Sequence, residues 1–138
     1  MNIAELTEIL EKEGCSCAIW GAGELTLCHR RGVADLYELL TSSPGKLRGA
    51  LVADKIVGKG AAALMVIGGV SQVYAGVISD PALEMLHTGG VTVICGKRVP
   101  NIINREGTGI CPVETLCLGC RTADECLPLI ENFLKSRT

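Results

Sequence analysis

The run Gly60-Ala61-Ala62-Ala63-Leu64-Met65-Val66-Ile67 constrains this chain more than any other segment. Together with the residues before it, Asp54 to Ile67 reads as a helix that is apolar almost all round after Gly60. Such a helix has no face to offer water and belongs in the interior. The run is far too short to cross a bilayer. Gly68-Gly69 stops it, and Val70 to Ser79, rich in Val and Ile, reads as a strand. A buried helix beside an apolar strand needs further layers to cover both.

The rest of the chain supplies them. Asn2 to Glu13 reads as a first helix, with Ile3, Leu6 and Leu10 on one face and Gly14 as its stop. Cys15 to Trp20 and Glu24 to His29 read as strands joined by a Gly21-Ala22-Gly23 turn. Val33, Leu36, Tyr37 and Leu40 fit a short helix, and Pro44-Gly45 marks a turn. Leu47 to Ala53 is extended, or leads into the central helix. In Ser79-Asp80-Pro81, Asp80 is placed to cap and Pro81 suits the first helical position. Gly89-Gly90 ends that helix, and Val91 to Gly96 reads as a fully apolar strand. Lys97 to Ile110 is polar and irregular. Cys111-Pro112 opens a helix, and Thr122-Ala123-Asp124-Glu125 is a capping box for the last one, which must bend at Pro128 or begin later. Alternating strands and helices imply parallel pairing, and the hairpin implies an antiparallel edge. The expected fold is α/β, a mixed sheet inside a three-layer α/β/α sandwich.

At 138 residues the chain is read as one domain over residues 1–138. A domain of this size buries roughly 70% of its unfolded surface and folds without disulfides. Hydrophobic residues at 48% against charged ones at 20% exclude a disordered chain. The net charge of −2 argues against a nucleic-acid partner held by bulk electrostatics. The segment Met1-Asn2-Ile3-Ala4-Glu5-Leu6 has neither a basic start nor an apolar run, so a cytoplasmic location without a membrane partner is expected. Thiols there stay reduced, so the eight cysteines do not read as a disulfide framework.

Two glycine motifs dissolve on inspection. Gly58-Lys59-Gly60 lacks the upstream Gly and the downstream Ser or Thr of a phosphate loop, with Ala53 and Gly60 in those places. Gly21-Ala22-Gly23 has Thr26 where a dinucleotide fingerprint needs its third Gly. Asp54, Lys55 and Lys59 carry more. If the helix starts at Asp54, the two lysines share a face near its N-terminus, where the macrodipole disfavours cations. A bound anion beside them explains the placement; a solvated edge capped by Asp54 explains it equally simply. The segment Asn101 to Gly109, with Asn104 and Arg105, orders around a polar ligand or merely connects.

The cysteines form two groups. Cys15, Cys17 and Cys28 lie on the hairpin, with Cys15 and Cys17 on one side of a strand. Cys111, Cys117, Cys120 and Cys126 are spaced C-x5-C-x2-C-x5-C, which matches neither a zinc finger nor a ferredoxin run. They are open to a metal or redox role, or to simple packing. No metal ligand and no cofactor is assigned. Cys111, before Pro112, stands where a helix N-terminus activates a thiol, and Glu114 is one turn on. Cys111, Glu114 and Asp54 are therefore the catalytic candidates, with Cys111 or a Lys as nucleophile. His29 is isolated, and His87 suits a helix C-terminus.

Taken together, Asp54-Lys55-Ile56-Val57-Gly58-Lys59-Gly60-Ala61-Ala62, Val73-Tyr74-Ala75, Ile78-Ser79, Asn104-Arg105 and Cys111-Pro112-Val113-Glu114 resemble a family. It is a family of small bacterial and archaeal proteins, described only as a domain of unknown function with a cytidine-deaminase-like fold. The resemblance covers nearly the whole chain. It implies a mixed five-stranded sheet between helices, without deaminase chemistry. Zinc deaminases carry a His or Cys at the first central helix and P-C-x-x-C at the next. Here those starts would be Asp54-Lys55-Ile56 and Asp80-Pro81-Ala82-Leu83-Glu84, with no ligand for zinc. The pocket of that fold would be lined by Asp54, Lys55, Lys59 and Asp80, with Asn104, Arg105, Cys111 and Glu114 near. The expected ligand is a phosphate-bearing or nucleotide-like small molecule, held through its phosphates because rings for stacking are few. Alternatives are an enzyme with a Cys111 or Lys nucleophile, and a metal or redox protein built on Cys111 to Cys126. Helices or an edge strand offer surfaces for a homo-oligomer.

Overall fold

The computed structural model describes residues 1–30 and 32–137. Its N-terminal helix α1 (Ile3–Glu13) is fixed at both ends by sequence. Asn2 accepts from the Glu5 amide while Glu5 reaches back to the Asn2 amide, and Gly14 closes the helix at φ 64°. The hairpin of β1 (Cys17–Gly21) and β2 (Glu24–Cys28) turns through Ala22 and Gly23, both at positive φ. Two left-handed residues give the turn the twist that paired strands need. Gly21 faces Glu24 across the turn, and counting outward sets Cys17 opposite Cys28.

Helix α2 (Ala34–Ser42) and a single tight turn (Pro44–Lys46) lead into β3 (Leu51–Val57). Then follow α3 (Lys59–Gly68), β4 (Gln72–Ser79), α4 (Asp80–Thr88), β5 (Thr92–Val99), α5 (Pro112–Cys117) and α6 (Ala123–Lys135). The strands form one mixed five-stranded sheet in the order β2-β1-β3-β4-β5. β1 pairs antiparallel with β2 and β3, while β3, β4 and β5 run parallel. This is the α/β arrangement expected, with helices on both faces. Leu6 and Leu10 of α1 pack with Ala18 and Ala53 on one face. On the other, α3 is buried between the sheet and α2, α4, α5 and α6, with Leu64 and Met65 wholly inside.

Several boundaries differ from the expectation. The helix predicted from Asp54 starts at Lys59, and Asp54 to Val57 belong to β3. A central strand bonded on both sides satisfies its backbone groups as fully as a helix would, so the apolar run alone did not set the start. Lys55 and Lys59 are therefore not neighbours on one helix face. Cys15 and Cys17 lie on opposite faces: Cys15 packs with Leu6 and Leu10, and Cys17 with the helix-rich core. The strand begins only at Cys17, after the irregular residues that follow Gly14. β5 continues through Lys97 and Arg98 to Val99, and most of it is exposed at the sheet edge. Ser79, not Asp80, caps α4 by accepting from the Ala82 amide. The last helix starts where its capping box places it and runs through Pro128.

One irregularity shapes the end of the sheet. Val52 and Val57 both join the helix-side core, as do Val73 and Ile78, although strict alternation would separate them. The phase slips at Lys55, Gly76 and Gly96, which lie in one row that the ladders skip. A Cβ on Gly76 would stand 2.7 Å from the Lys55 carbonyl oxygen. One on Gly96 would stand 2.9 Å from that of Gly76. Only glycine permits this approach at either position.

A cleft over the row Cys28, Cys17, Asp54

The strand register sets three polar side chains side by side. Cys28 of β2, Cys17 of β1 and Asp54 of β3 are directly opposed across two antiparallel ladders. They form part of the wall of a cleft of about 770 Å³, within the usual range for small-molecule sites. Asp54 is only 9% exposed. Its Oδ1 accepts the Ile56 amide at 3.3 Å, and burial pushes its carboxyl up from 3.8 to about 7. Desolvation disfavours the charged form, and the weak bonds it receives do not compensate. Cys17 stands between Cys28 and Asp54, directly opposed to each. The Cys28 contact, followed by burial, holds the Cys17 thiol well above its ordinary range.

Cations stand at the rim. Lys55 and Arg105 line the cleft, are exposed, and form no ion pair among the described residues. Arg30 is committed to Asp35 and Glu38, and Arg137 lies over the Phe133 ring at 5.1 Å. Ile56 and Ile103, 43% and 52% exposed, add apolar wall. Asn104 lines the cleft but is occupied within its own loop: its Oδ1 accepts the Thr108 amide and its Nδ2 donates to Thr108 Oγ1. The segment after β5 is thereby a small closed loop, bridged between Ile103 and Ile110.

Glu114 reaches the cleft lining but spends its carboxylate on the fold. It is 1% exposed. Its Oε1 accepts the Lys59 amide at 2.8 Å and Ser79 Oγ at 2.6 Å, and its Oε2 accepts the Ile102 amide. The start of α3 and the cap of α4 are thus joined by one buried carboxylate from α5. Gly58 has no side chain to cap α3, so Glu114 serves in its place. The anion that the sequence suggested beside this helix start is one of the chain's own residues.

Lys59 and Asp80 do not line the cleft. Lys59 is 8% exposed, and its Nζ donates to the carbonyls of Leu118 and Cys120 at 3.2 and 2.7 Å. It neutralises the carboxyl end of α5. Asp80 pairs with Arg98 on the surface. Of the expected ligand-binding set, the structure brings together Asp54, Lys55, Asn104 and Arg105, with Cys111 and Glu114 beside them. Cys111 precedes α5 and makes no side-chain cap.

The C-terminal cysteines divide. Cys117 and Cys126 are buried in the helix-side core, Cys126 Sγ donates to the Thr122 carbonyl at 3.6 Å, and burial pushes both thiols up. Cys111 lines the cleft instead. Among the described residues, no group of three or more His, Cys, Asp or Glu is placed to hold a metal ion. No described helix is long and apolar enough to cross a membrane.

A family model described as TM1506, domain of unknown function DUF1893, matches residues 5–134. The chain belongs to the DUF1893 family. Among solved structures, it is similar to a DUF1893 family protein (TM1506) from Thermotoga maritima, at 26% identity and a TM-score of 0.85. The match covers 94% of this chain and 87% of the other. Curated proteins gave no match. Helix α3 of this DUF1893 chain starts at Gly58-Lys59-Gly60, not at Asp54, and its first turn holds neither His nor Cys. The carboxylate of Glu114 occupies the space between the starts of α3 and α4.

Sequence reasoning missed Cys17 and Cys28 as cleft residues, and Ser16, His29 and Arg137 with them. For the two cysteines a signal existed. The two-residue turn fixes the hairpin register, and that register pairs Cys17 with Cys28.

Proposed function

We propose that the cleft over Asp54 binds a phosphate-bearing, nucleotide-like small molecule. The observation that carries this reading is the pair of exposed cations, Lys55 and Arg105, unpaired among the described residues, on the lining of a concave site. Arg presents a fork that matches phosphate oxygens, and Lys adds a mobile point charge. Ile56, Ile103 and Phe133 supply apolar wall for the remainder of the ligand. The buried Asp54, whose carboxyl is pushed up to about 7, opposes an anion less than an ordinary carboxylate would. The cleft is assigned to a cytoplasmic protein, in keeping with eight cysteines that are all free. A deaminase-like architecture belongs to this proposal, supported by two helix starts brought together beside a mixed sheet. The exposed edge of β5 suits pairing with a second copy of the chain.

A thermal-shift series with nucleosides, nucleoside mono- and diphosphates and ADP-ribose tests the reading. Stabilisation is expected from the phosphate-bearing compounds and not from the nucleosides. It should vanish in Lys55→Ala/Arg105→Ala. No shift from any phosphate-bearing compound removes the proposal.

One observation favours a second reading, an enzyme. A buried carboxyl that titrates at about 7 in a cleft is poised for acid–base work. Of the catalytic candidates, Asp54 fits this role, whereas Glu114 is engaged by three donors.

A further inference from the structure

We propose that Cys17 and Cys28 are a redox-active dithiol that exchanges with low-molecular-weight disulfides entering the cleft, with Asp54 taking the first proton. The inference does not rest on the identity of the bound phosphate compound. It rests on three observations. Cys17 and Cys28 are directly opposed on antiparallel strands. Opposed residues have Cα atoms about 4.5–5.5 Å apart, inside the roughly 4.4–6.8 Å span of disulfides. Both cysteines are wall residues of the cleft, each 5% exposed, so the cleft is the side from which a small molecule approaches them. Asp54 is directly opposed to Cys17 on the other side.

The exchange balances with a disulfide R–S–S–R as the oxidant. Cys17 passes its proton to an Asp54 oxygen, and its thiolate attacks one sulfur. The S–S bond breaks, and R–S⁻ leaves with the proton from Asp54. Cys28 then loses its proton and attacks Cys17 Sγ in the mixed disulfide. The second R–S⁻ leaves and takes that proton. The two thiols are oxidised to one disulfide, and R–S–S–R is reduced to two R–SH. The cations Lys55 and Arg105 favour an oxidant that carries carboxylates. Cys117 and Cys126 are 0% exposed and do not line the cleft, so no such reagent reaches them.

The experiment exposes the folded, reduced protein to oxidised glutathione, a carboxylate-bearing disulfide, and maps the cysteines by peptide mass spectrometry. The expected product is lighter by two hydrogens, with Cys17 linked to Cys28. Cys28→Ser should trap glutathione on Cys17, and Cys17→Ser should give no link. Asp54→Asn, folded as judged by circular dichroism, should slow the reaction by about a hundredfold, the scale of a lost general base. The proposal is overturned if Cys17 and Cys28 stay reduced. It is also overturned if glutathione is captured only at Cys111 or Cys95, or if Asp54→Asn reacts at the wild-type rate.

Discussion

Glu114 Oε1 accepts the Lys59 backbone amide at 2.8 Å, across 55 positions of sequence. This bond makes α5 the cap of α3, and through Ser79 it fixes the start of α4 as well. A carboxylate taken out of water is costly unless its oxygens are bonded, and here both are. Glu114→Ala should therefore destabilise the protein by about 3–5 kcal/mol, because it leaves the Lys59 and Ile102 amides and the Ser79 hydroxyl without their acceptor at about 1–3 kcal/mol each. Glu114→Gln restores an acceptor for Lys59 and Ser79 but turns an amide donor toward the Ile102 amide. It should recover only part of the loss. Urea denaturation measures both.

Asp54 predicts a pH dependence. Its carboxyl titrates at about 7 in the folded chain against 3.8 ordinarily. The folded state thus favours the protonated form. Stability from this group is complete below pH 3.8, is lost as pH rises toward 7, and is constant above. Asp54→Asn has no such dependence. From pH 4 to pH 8 the variant should gain on the wild type by up to roughly 4 kcal/mol, read from denaturation at each pH.

Helix propensity and packing give opposite signs at Gly60. Ala is the better helix former by about 1 kcal/mol. A Cβ on Gly60 would stand 2.4 Å from Val113 Cγ1, forcing α5 off α3. Overpacking of that kind costs about 1–3 kcal/mol. Gly60→Ala should be destabilising, with a lower midpoint in thermal melting.

The hairpin turn holds a removable strain. Ala22 sits at φ 55°, a region that costs a residue with a Cβ roughly 1–2 kcal/mol. Ala22→Asn supplies the residue type preferred there, and Gly23 already follows. Stability should rise by about 0.5–1 kcal/mol, provided the turn keeps its two-residue form, and thermal melting checks it.

Much of this fold was legible, and the failures have physical causes. The capping box at Thr122 and the glycine stop at Gly14 are local chemistry, and the structure follows them. The mixed sheet followed from the alternation of elements. The boundary at Asp54 failed because a polar Asp-Lys pair inside a central strand leaves no apolar signature of a strand. Its ladder partners are 21 and more residues away. The site was half legible for the same reason. Lys55 and Arg105 stood out as charges, but their placement depends on strands meeting a loop beyond β5. Lys59 was misread because its partners, the carbonyls of Leu118 and Cys120, are unrelated to it by local pattern. Cys17 and Cys28 needed only the hairpin register.

The central claim is that the anion site is the cleft of Lys55 and Arg105 and not the start of α3. Isothermal titration with a nucleoside diphosphate tests it most directly, in the wild type, Lys55→Ala/Arg105→Ala and Asp80→Asn. The account predicts binding that is lost in the double variant and unchanged in Asp80→Asn. Equal binding in the double variant and the wild type would contradict it.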